Sequence, residues 1–434
     1  MDWLRQAALT RPEAAALITR AGTLTYAEMD RAADAVAAIV IGSGLAEGAV
    51  AFWGERDPAT VAAVWGIPRA GATAVAIDPS LPPAESMHLT REAGARGLWA
   101  MLEGGIDALL RRPRPAGGIA EGMPGRARFI VFTSGSEGRR KGVVLSGDNA
   151  AAAVAASQER LGNGADDSWL AVLPLFHVGG LSILWRQAAT AAPVVLEPEF
   201  DVTRCVRLLP TVAFASVVPT MLHRLVEAGA RGGGALRGVL VGGGPADPDL
   251  LRRALSAGIP ALQTYGMTET CSQVCTVAPR DAERDLGTAG RPLRGAEVAI
   301  GTDGRIRVRG PMVAAGYHGE APRDDDWFVT GDLGEIDPAG RLVVWGRADA
   351  VIVTGGENVN PVEVERELRR IPGVLDVRVF GEPEPEWGQR VVAEVVLDEG
   401  ARLDEIRHRA RAALAPAECP RRWEVVPRID SKLQ

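Results

Sequence analysis

The chain has 434 residues, a formal net charge of −7, and 47 % hydrophobic and 24 % charged residues. This composition is typical of a globular protein of two or three domains, and the negative charge argues against general binding to nucleic acid or to an anionic membrane. The four cysteines are too few for a disulfide framework. Cys271 and Cys275 have the spacing of one helical face, but with no histidine nearby we expect no metal site there. Without a signal-peptide pattern or a spanning apolar run, we expect a reduced, cytoplasmic protein with no membrane insertion.

The first hundred residues alternate between helical and strand patterns. Thr25-Tyr-Ala-Glu28 is a capping box that predicts a helix through Ala38, and short apolar runs at 51–53 and 72–77 predict buried strands. This alternation predicts an α/β sheet with helices on both faces.

A loop rich in glycine and hydroxyl residues follows the apolar strand Phe129–Phe132 and extends from Thr133 to Gly142. Glycines let backbone N–H groups approach an oxyanion, hydroxyls donate hydrogen bonds, and Lys141 adds a positive charge. No Ser or Thr follows this lysine, so the loop is not a Walker P-loop. The residues alone leave two interpretations open, a phosphate site and a glycine-rich surface turn.

Three later segments place polar residues after predicted strands. His177 follows the strand 169–174 in a His-Val-Gly-Gly turn, where it is either a ligand contact or an ordinary loop histidine. Gly242–Gly244 follow the strand 236–241 and could admit a flat ring against the backbone. Glu269, after Tyr265, is either a surface acid or a Mg²⁺ ligand beside phosphate oxygens.

The C-terminal third has a different pattern. A hairpin turn at 302–304 and further short strands lead to Asp332, an acid that could bind a ribose diol or simply occupy a turn. Gly346-Arg-Ala-Asp349 reads as a linker. A small α/β unit follows, with a helix that begins at Pro361, so we predict domains of 1–347 and 348–434.

Together these motifs resemble the adenylate-forming family of acyl-CoA synthetases, adenylation domains and luciferases over essentially the whole chain. The motifs are Thr133–Gly142, Tyr265-Gly-Met-Thr-Glu269, Thr330-Gly-Asp332, Gly346-Arg-Ala-Asp349 and Lys432. The resemblance implies a large N-terminal domain of two α/β sheet subdomains plus a β-rich subdomain, and a small mobile α+β C-terminal domain. It also implies that a carboxylic acid reacts with ATP and Mg²⁺ to give an acyl-adenylate, which then passes to coenzyme A.

The resemblance also assigns roles to residues. The expected ATP contacts are Thr133, Ser134, Gly135, Ser136, Gly138 and Lys141 at the phosphates, Gly243, Gly244, Tyr265 and Gly266 at the adenine, and Asp332 and Arg347 at the ribose. Thr268 would touch the α-phosphate and Glu269 would bind Mg²⁺. Lys432 would bridge carboxylate and phosphate in the first half-reaction. Asp349 would be the hinge for the second, in which Gly355 and Gly356 would line the pantetheine tunnel.

The acid is the least constrained part of this assignment. No aspartate stands in the segment 173–180 to pair with an amino group, so an amino acid is disfavoured. The segment 174–186 most resembles that of family members that act on o-succinylbenzoate, an aromatic dicarboxylic acid of menaquinone synthesis. His177, Ser182 and Arg186 are the predicted acid pocket, with Arg186 for the second carboxylate, although a surface role for Arg186 is equally open.

Other readings also remain open. Another aryl- or medium-chain acyl-CoA ligase, or an inactive nucleotide-binding relative, would keep the same nucleotide motifs. Glu137 within the phosphate loop and the shortened segment before Lys432 depart from the family pattern. The partners we expect are the small-molecule acid, ATP and coenzyme A, with a homodimer as a further possibility.

Overall fold

The computed structural model describes residues 2–98, 102, 104–113, 128–133, 140–385 and 387–429. The helices are α1 (Trp3–Thr10), α2 (Tyr26–Gly42), α3 (Pro58–Arg69), α4 (Pro83–Glu92), α5 (Gly105–Leu110), α6 (Gly147–Leu161), α7 (Val178–Thr190), α8 (Val202–Leu208), α9 (Pro219–Glu227), α10 (Pro248–Ser256), α11 (Pro361–Arg369) and α12 (Leu403–Ala413). Within these residues, no helix is both long enough and apolar enough to span a bilayer.

The strands of the N-terminal part precede residue 293. They are β1 (Ala15–Thr19), β2 (Gly22–Thr25), β3 (Ala49–Trp53), β4 (Thr73–Ile77), β5 (Ala95–Gly97), β6 (Arg128–Thr133), β7 (Lys141–Ser146), β8 (Trp169–Ala171), β9 (Val194–Leu196), β10 (Phe214–Val217), β11 (Gly238–Val241), β12 (Ala261–Met267), β13 (Ser272–Thr276) and β14 (Arg291–Pro292).

The remaining strands form the C-terminal third. They are β15 (Glu297–Ile300), β16 (Arg305–Arg309), β17 (Phe328–Ile336), β18 (Leu342–Arg347), β19 (Ile352–Thr354), β20 (Glu357–Val359), β21 (Val374–Glu384), β22 (Gly388–Leu397) and β23 (Arg422–Val425).

A nine-stranded sheet in the order β14-β13-β12-β11-β10-β8-β9-β1-β2 is the largest element of the fold. Its strands β8, β10, β11 and β12 pair in parallel, so their carboxyl ends lie at one edge of the sheet. Helices α7, α9 and α10 begin after β8, β10 and β11. This edge is where the segments that follow those strands meet.

A second sheet has the order β5-β3-β4-β6-β7, and β6 and β7 form an antiparallel hairpin in register from Arg128↔Ser146 to Thr133↔Lys141. One hydrophobic core contains residues of both sheets together with α2, α3, α6 and α7, and separate clusters cover the other faces of the two sheets. Sheets buried on both sides explain why the strands read as continuous apolar runs.

The chain divides into two compact units by its internal contacts. The first is Met1–Val298, Val308–Phe328 and Gly340–Leu342, and the second is Ala299–Arg307, Val329–Ala339 and Val343–Gln434. The second contains most of a four-stranded sheet, β15-β16-β17-β18, and all of a sheet in which β19 to β23 pack against α11 and α12 around their own core. The predicted fold class is confirmed. The hinge at Asp349 and the boundary at residue 347 remain predictions.

Most predicted elements occur with shifted ends. The capping box at Thr25 and Glu28 is present in both directions, at 2.8 and 3.2 Å, but its helix continues to Gly42. The strand predicted for 169–174 ends at Ala171. The helical spacing inferred for Cys271 and Cys275 is wrong, because Cys275 lies on β13 and Cys271 has a positive φ of 53°.

Candidate active site

The phosphate-loop motif is the connection between β6 and β7. Its described ends are Thr133 and Lys141, which pair across the hairpin, and the Thr133 hydroxyl donates to the Lys141 carbonyl at 3.3 Å. Gly142 is closely packed, since a Cβ there would lie 2.9 Å from Ile130 Cγ2. The predicted phosphate contacts Ser134, Gly135, Ser136 and Gly138, together with Glu137, lie outside the described residues.

The residues predicted to contact the adenine lie at the carboxyl edge of the large sheet. Gly243 and Gly244 follow β11, and Gly243 has a φ of 79°, a backbone conformation that favours glycine. Tyr265, on β12, is 8 % exposed. Gly266 admits no other residue, because a Cβ would lie 1.7 Å from the Ser272 carbonyl oxygen. The order of strands therefore brings both glycine segments and the tyrosine to one edge.

Glu269 lies in a 3₁₀ turn, Thr268–Thr270, directly after β12. One of its carboxylate oxygens, Oε1, accepts a hydrogen bond of 2.9 Å from the Tyr317 hydroxyl. The Lys141 ammonium lies 5.0 Å from the centre of the Tyr317 ring and 3.8 Å from a Glu320 carboxylate oxygen. Burial and the neighbouring Glu269 carboxylate raise the pKa of the Tyr317 hydroxyl, so this hydroxyl stays a hydrogen-bond donor.

The predicted acid-pocket residues lie along α7, which begins at the carboxyl edge of the same sheet. His177 is the residue before the helix, and its ring centre is 4.6 Å from that of Phe176. Gly180 is required by close packing, because a Cβ there would lie 2.2 Å from the Pro174 carbonyl oxygen. His177 therefore lies at the start of α7, five residues before Ser182 in the chain.

Arg186 is a buried cation surrounded by neutral groups. The residue is 3 % exposed, and its Nη2 donates to Ser182 Oγ at 2.8 Å and lies 3.4 Å from Ser272 Oγ. The guanidinium lies 5.1 Å from the centre of the Trp169 ring. Burial lowers the pKa of Arg186 to about 10. In the described part of the chain, no carboxylate forms an ion pair with it.

The predicted ribose and hinge residues lie together in the second unit. Arg347 donates two hydrogen bonds of 2.9 Å to the two carboxylate oxygens of Asp349, and its Nη1 lies 3.9 Å from Asp332 Oδ1. The hydrogen bond from Arg347 holds the pKa of the Asp349 carboxyl below its usual range. Gly355 (φ 61°) and Gly356 (φ 84°) form the turn between β19 and β20. Lys432 lies outside the described residues.

The donor groups at Glu269 suit Mg²⁺. Among the described residues, no three His, Cys, Asp or Glu side chains cluster so as to hold a metal by themselves. Mg²⁺ is usually bound by one or two carboxylates together with substrate phosphates, so a single carboxylate beside a phosphate loop fits this ion. Glu269 is the residue that would hold it.

Comparisons with known proteins agree with these motifs. The AMP-binding enzyme family matches residues 4–115 and 117–318, and the AMP-binding enzyme C-terminal domain matches residues 363–432. The chain belongs to the AMP-binding enzyme family. The resemblance inferred from the motifs is therefore confirmed, and with it the family's adenylate-forming character.

Individual relatives are similar over nearly their full lengths. The 2-succinylbenzoate–CoA ligase of Listeria monocytogenes is 33 % identical, over 99 % of this chain and 96 % of the relative. The o-succinylbenzoate-CoA synthetase (MenE) of Bacillus subtilis, solved with the acyl-adenylate intermediate OSB-AMP, is 32 % identical with a TM-score of 0.91, over 99 % of this chain and 95 % of that one. ATP-bound MatB of Rhodopseudomonas palustris is 27 % identical with a TM-score of 0.89, over the same shares.

Two residues near the predicted site were not predicted from the sequence, namely Tyr317 and Ser272. The composition offers a signal for Tyr317, since the chain has three tyrosines and Tyr265 already belongs to a motif. Ser272 has a φ of 94°, and Cys271 before it also has a positive φ. This unusual backbone turns the chain so that the Ser272 hydroxyl meets Arg186, and no residue pattern signals it.

Proposed function

We propose that this enzyme activates o-succinylbenzoate with ATP and transfers the acyl group to coenzyme A. The observation that carries the proposal is Arg186, a buried guanidinium whose described partners are hydroxyls and an aromatic face. An acid with a second carboxylate would supply the missing negative charge. Relatives such as the two enzymes of Listeria monocytogenes, which match over nearly the full chain, are named as ligases for this acid.

The first half-reaction brings two anions together, the acid carboxylate and the ATP triphosphate. Thr133, Lys141 and the loop between them would hold the β- and γ-phosphates, and Thr268 would contact the α-phosphate. Glu269 would hold Mg²⁺, which neutralises phosphate charge when it is bound. The acid carboxylate then attacks the α-phosphate, pyrophosphate leaves, and the acyl-adenylate remains. Removing one such electrostatic contact typically raises the activation barrier by about 3–4 kcal/mol.

The lysine content supports this division of roles. The chain has two lysines, Lys141 and Lys432, and every other basic residue among the 48 Lys and Arg residues is an arginine. A lysine ammonium is a compact point charge on a flexible stem, unlike the planar fork of arginine. Both lysines belong to family motifs, in which they would bind a phosphate or the reacting carboxylate.

In the second half-reaction the thiol of coenzyme A attacks the acyl carbon of the adenylate, and AMP leaves. Asp349 would be the hinge, and Gly355 and Gly356 would line the passage for the pantetheine arm. His177 would close one side of the acid pocket as an aromatic gate. We also propose that the enzyme is cytoplasmic and forms a homodimer.

The test is an acid panel in which exchange of labelled pyrophosphate into ATP is measured with the full-length enzyme. The panel contains o-succinylbenzoate, 4-oxo-4-phenylbutanoate (which lacks the ring carboxylate), benzoate, octanoate and malonate. We expect exchange with o-succinylbenzoate at a kcat/KM at least about tenfold above that of 4-oxo-4-phenylbutanoate, because a hydrogen bond to a charged group contributes roughly 1.5–3 kcal/mol.

The other outcomes separate the alternatives. Equal exchange with benzoate or octanoate would identify another aryl- or medium-chain ligase. No exchange with any acid, despite binding of ATP, would identify an inactive nucleotide-binding relative. Omission of coenzyme A should leave the exchange intact, because adenylation precedes thioester formation.

A further inference from the structure

Tyr317 lies between the two groups that are predicted to bind Mg²⁺ and the triphosphate. Its hydroxyl donates to Glu269 Oε1 at 2.9 Å, and the centre of its ring lies 5.0 Å from the Lys141 ammonium. One side chain therefore contacts both an anion and a cation. Tyrosine can do this because it combines a hydroxyl donor with an electron-rich ring face.

The backbone around Tyr317 is fixed to the same two motifs. Ala314 N donates to the Glu269 carbonyl oxygen at 2.8 Å, so one end of the segment 314–318 is attached beside the predicted Mg²⁺ ligand. At the other end, Val143 and Tyr317 form an antiparallel bridge, and His318 N donates to the Gly142 carbonyl oxygen at 2.7 Å. The segment 314–318 therefore joins Glu269 to the strand that directly follows the phosphate loop.

The hydrogen bond to Tyr317 also limits how Glu269 can point. A carboxylate has two oxygens, and the hydroxyl occupies Oε1, which leaves Oε2 for a cation. Among the described residues, Tyr317 is the one side chain that donates to this carboxylate. A carboxylate held in advance needs less reorganisation when it binds a metal than one that rotates freely.

We propose that Tyr317 is a positioning residue that holds the Glu269 carboxylate and the Lys141 ammonium at the separation needed to bind Mg²⁺ and ATP together. The inference rests on the proposed nucleotide site and deepens it. It assigns to Tyr317 a role that the motifs do not contain, and it predicts that loss of the hydroxyl weakens Mg²⁺ binding more than it weakens folding.

The experiment measures ATP binding by titration calorimetry at a series of Mg²⁺ concentrations, without any acid, so that no turnover occurs. Tyr317→Phe removes the hydroxyl and keeps the ring and the backbone bridge. We expect the Mg²⁺ midpoint of ATP binding to rise about tenfold, because a hydrogen bond to a charged group is lost. Binding of ATP without Mg²⁺ and the melting temperature should stay close to those of the wild type.

Two further variants separate positioning from packing. Tyr317→Leu also removes the ring and should weaken ATP binding without Mg²⁺ about threefold, since Lys141 loses its contact with the ring. Tyr26→Phe is the matched control, because the Tyr26 hydroxyl is buried, 2.7 Å from the Ala192 carbonyl oxygen, and lies away from these motifs in the chain. It should lower the melting temperature and leave the Mg²⁺ midpoint unchanged.

A double variant with Glu269→Gln tests whether Tyr317 affects Mg²⁺ binding through Glu269. If Tyr317 acts through Glu269, adding Tyr317→Phe to Glu269→Gln should shift the midpoint no further. An unchanged midpoint in Tyr317→Phe, or a fully additive shift in the double variant, would overturn the inference. A wild-type enzyme that binds ATP without any dependence on Mg²⁺ would instead contradict the proposed function.

Discussion

Two buried arginines in the first unit, Arg69 and Arg186, have opposite surroundings. The Arg69 side chain is 1 % exposed, and its three nitrogens meet three carboxylates: Nε lies 2.8 Å from Asp2, Nη2 2.9 Å from Asp30 and Nη1 2.7 Å from Asp34. The contact with Asp30 is an ion pair without the alignment of a hydrogen bond. Arg186 is buried to nearly the same degree, but it meets two serine hydroxyls and a tryptophan face.

The electrostatics of the two sites differ accordingly. Burial alone lowers the pKa of a guanidinium, and at Arg69 the three carboxylates outweigh burial and raise it. At Arg186 burial prevails and the pKa falls to about 10. Both groups are cations at neutral pH, but one is neutralised by the fold and the other is not.

This difference distinguishes a structural charge from a binding charge. A buried ion without a counter-ion costs several kcal/mol, so a fold retains it where something other than stability requires it. Arg69 joins α3 to α2 and to the N-terminus of α1, which is a structural task. Arg186 lies on α7 and is close to Ser272, which comes three residues after Glu269 in the chain. An anionic substrate bound there would supply a counter-ion to Arg186.

The largest expected effect comes from removing the compensated cation. Arg69→Met would remove an ion pair from each of Asp2, Asp30 and Asp34, whose side chains are at most 5 % exposed, while Arg5 still pairs with Asp30 and Asp34. We expect the free energy of unfolding at pH 7 to fall by about 3–5 kcal/mol, measured by chemical denaturation. Arg69→Lys, which keeps the charge, should lose less.

The loss of stability in Arg69→Met should also depend on pH. Burial already raises the pKa of Asp30, and without Arg69 it would rise further. A carboxyl whose folded pKa is raised binds more protons in the folded state, so its unfavourable effect fades as the pH falls. The deficit of Arg69→Met should therefore be smaller at pH 5 than at pH 8. A deficit that does not vary with pH would mean that lost packing, and not the lost ion pairs, causes the instability.

Removing Arg186, the cation without a counter-ion among the described residues, should affect substrate binding and not stability. Arg186→Met should leave the melting temperature unchanged or slightly higher, because an apolar residue of similar size replaces a desolvated charge. The KM for o-succinylbenzoate should rise roughly 10- to 100-fold, with the KM for ATP unchanged. Steady-state pyrophosphate exchange measures both constants.

The monocarboxylate 4-oxo-4-phenylbutanoate is the matched substrate. Wild type and Arg186→Met should use it about equally, because it lacks the group that Arg186 would bind. An unchanged KM for o-succinylbenzoate would remove Arg186 from the acid pocket. A clear loss of stability would contradict the comparison itself, since it would make Arg186 a second structural arginine.

Local patterns predicted the order of elements and the family motifs, because each depends on residues close together in the chain. The capping box at Thr25 and the hairpin at 302–304 are of this kind, and the structure contains both. The motif Tyr265–Glu269 begins within β12, which ends at Met267, so Glu269 follows a strand as expected. The parallel order of β8, β10, β11 and β12 then brings the segments that follow these strands to one edge of the large sheet.

What the sequence did not reveal depends on contacts between distant residues. The strand at Trp169 ends early, and the Val172 carbonyl oxygen just beyond it accepts a 2.9 Å hydrogen bond from Arg56. Tyr317 reaches Glu269 because its segment pairs with β7, far away in the chain. The surroundings of Arg186 likewise depend on Ser272, whose position follows from a backbone conformation that serine rarely adopts.

The smallest expected effect concerns that backbone. Ser272 has a φ of 94°, which is strained for serine and allowed for glycine. Ser272→Gly should raise the free energy of unfolding by about 0.5–1 kcal/mol and, by removing a hydroxyl 3.4 Å from Arg186, raise the KM for o-succinylbenzoate about two- to threefold. Ser272→Ala is the control, because it loses the hydroxyl but keeps the strain, so it should reproduce the change in KM without the gain in stability. If both variants left the KM unchanged, Ser182 alone would orient the guanidinium, and the contrast with the fully paired Arg69 would become sharper still.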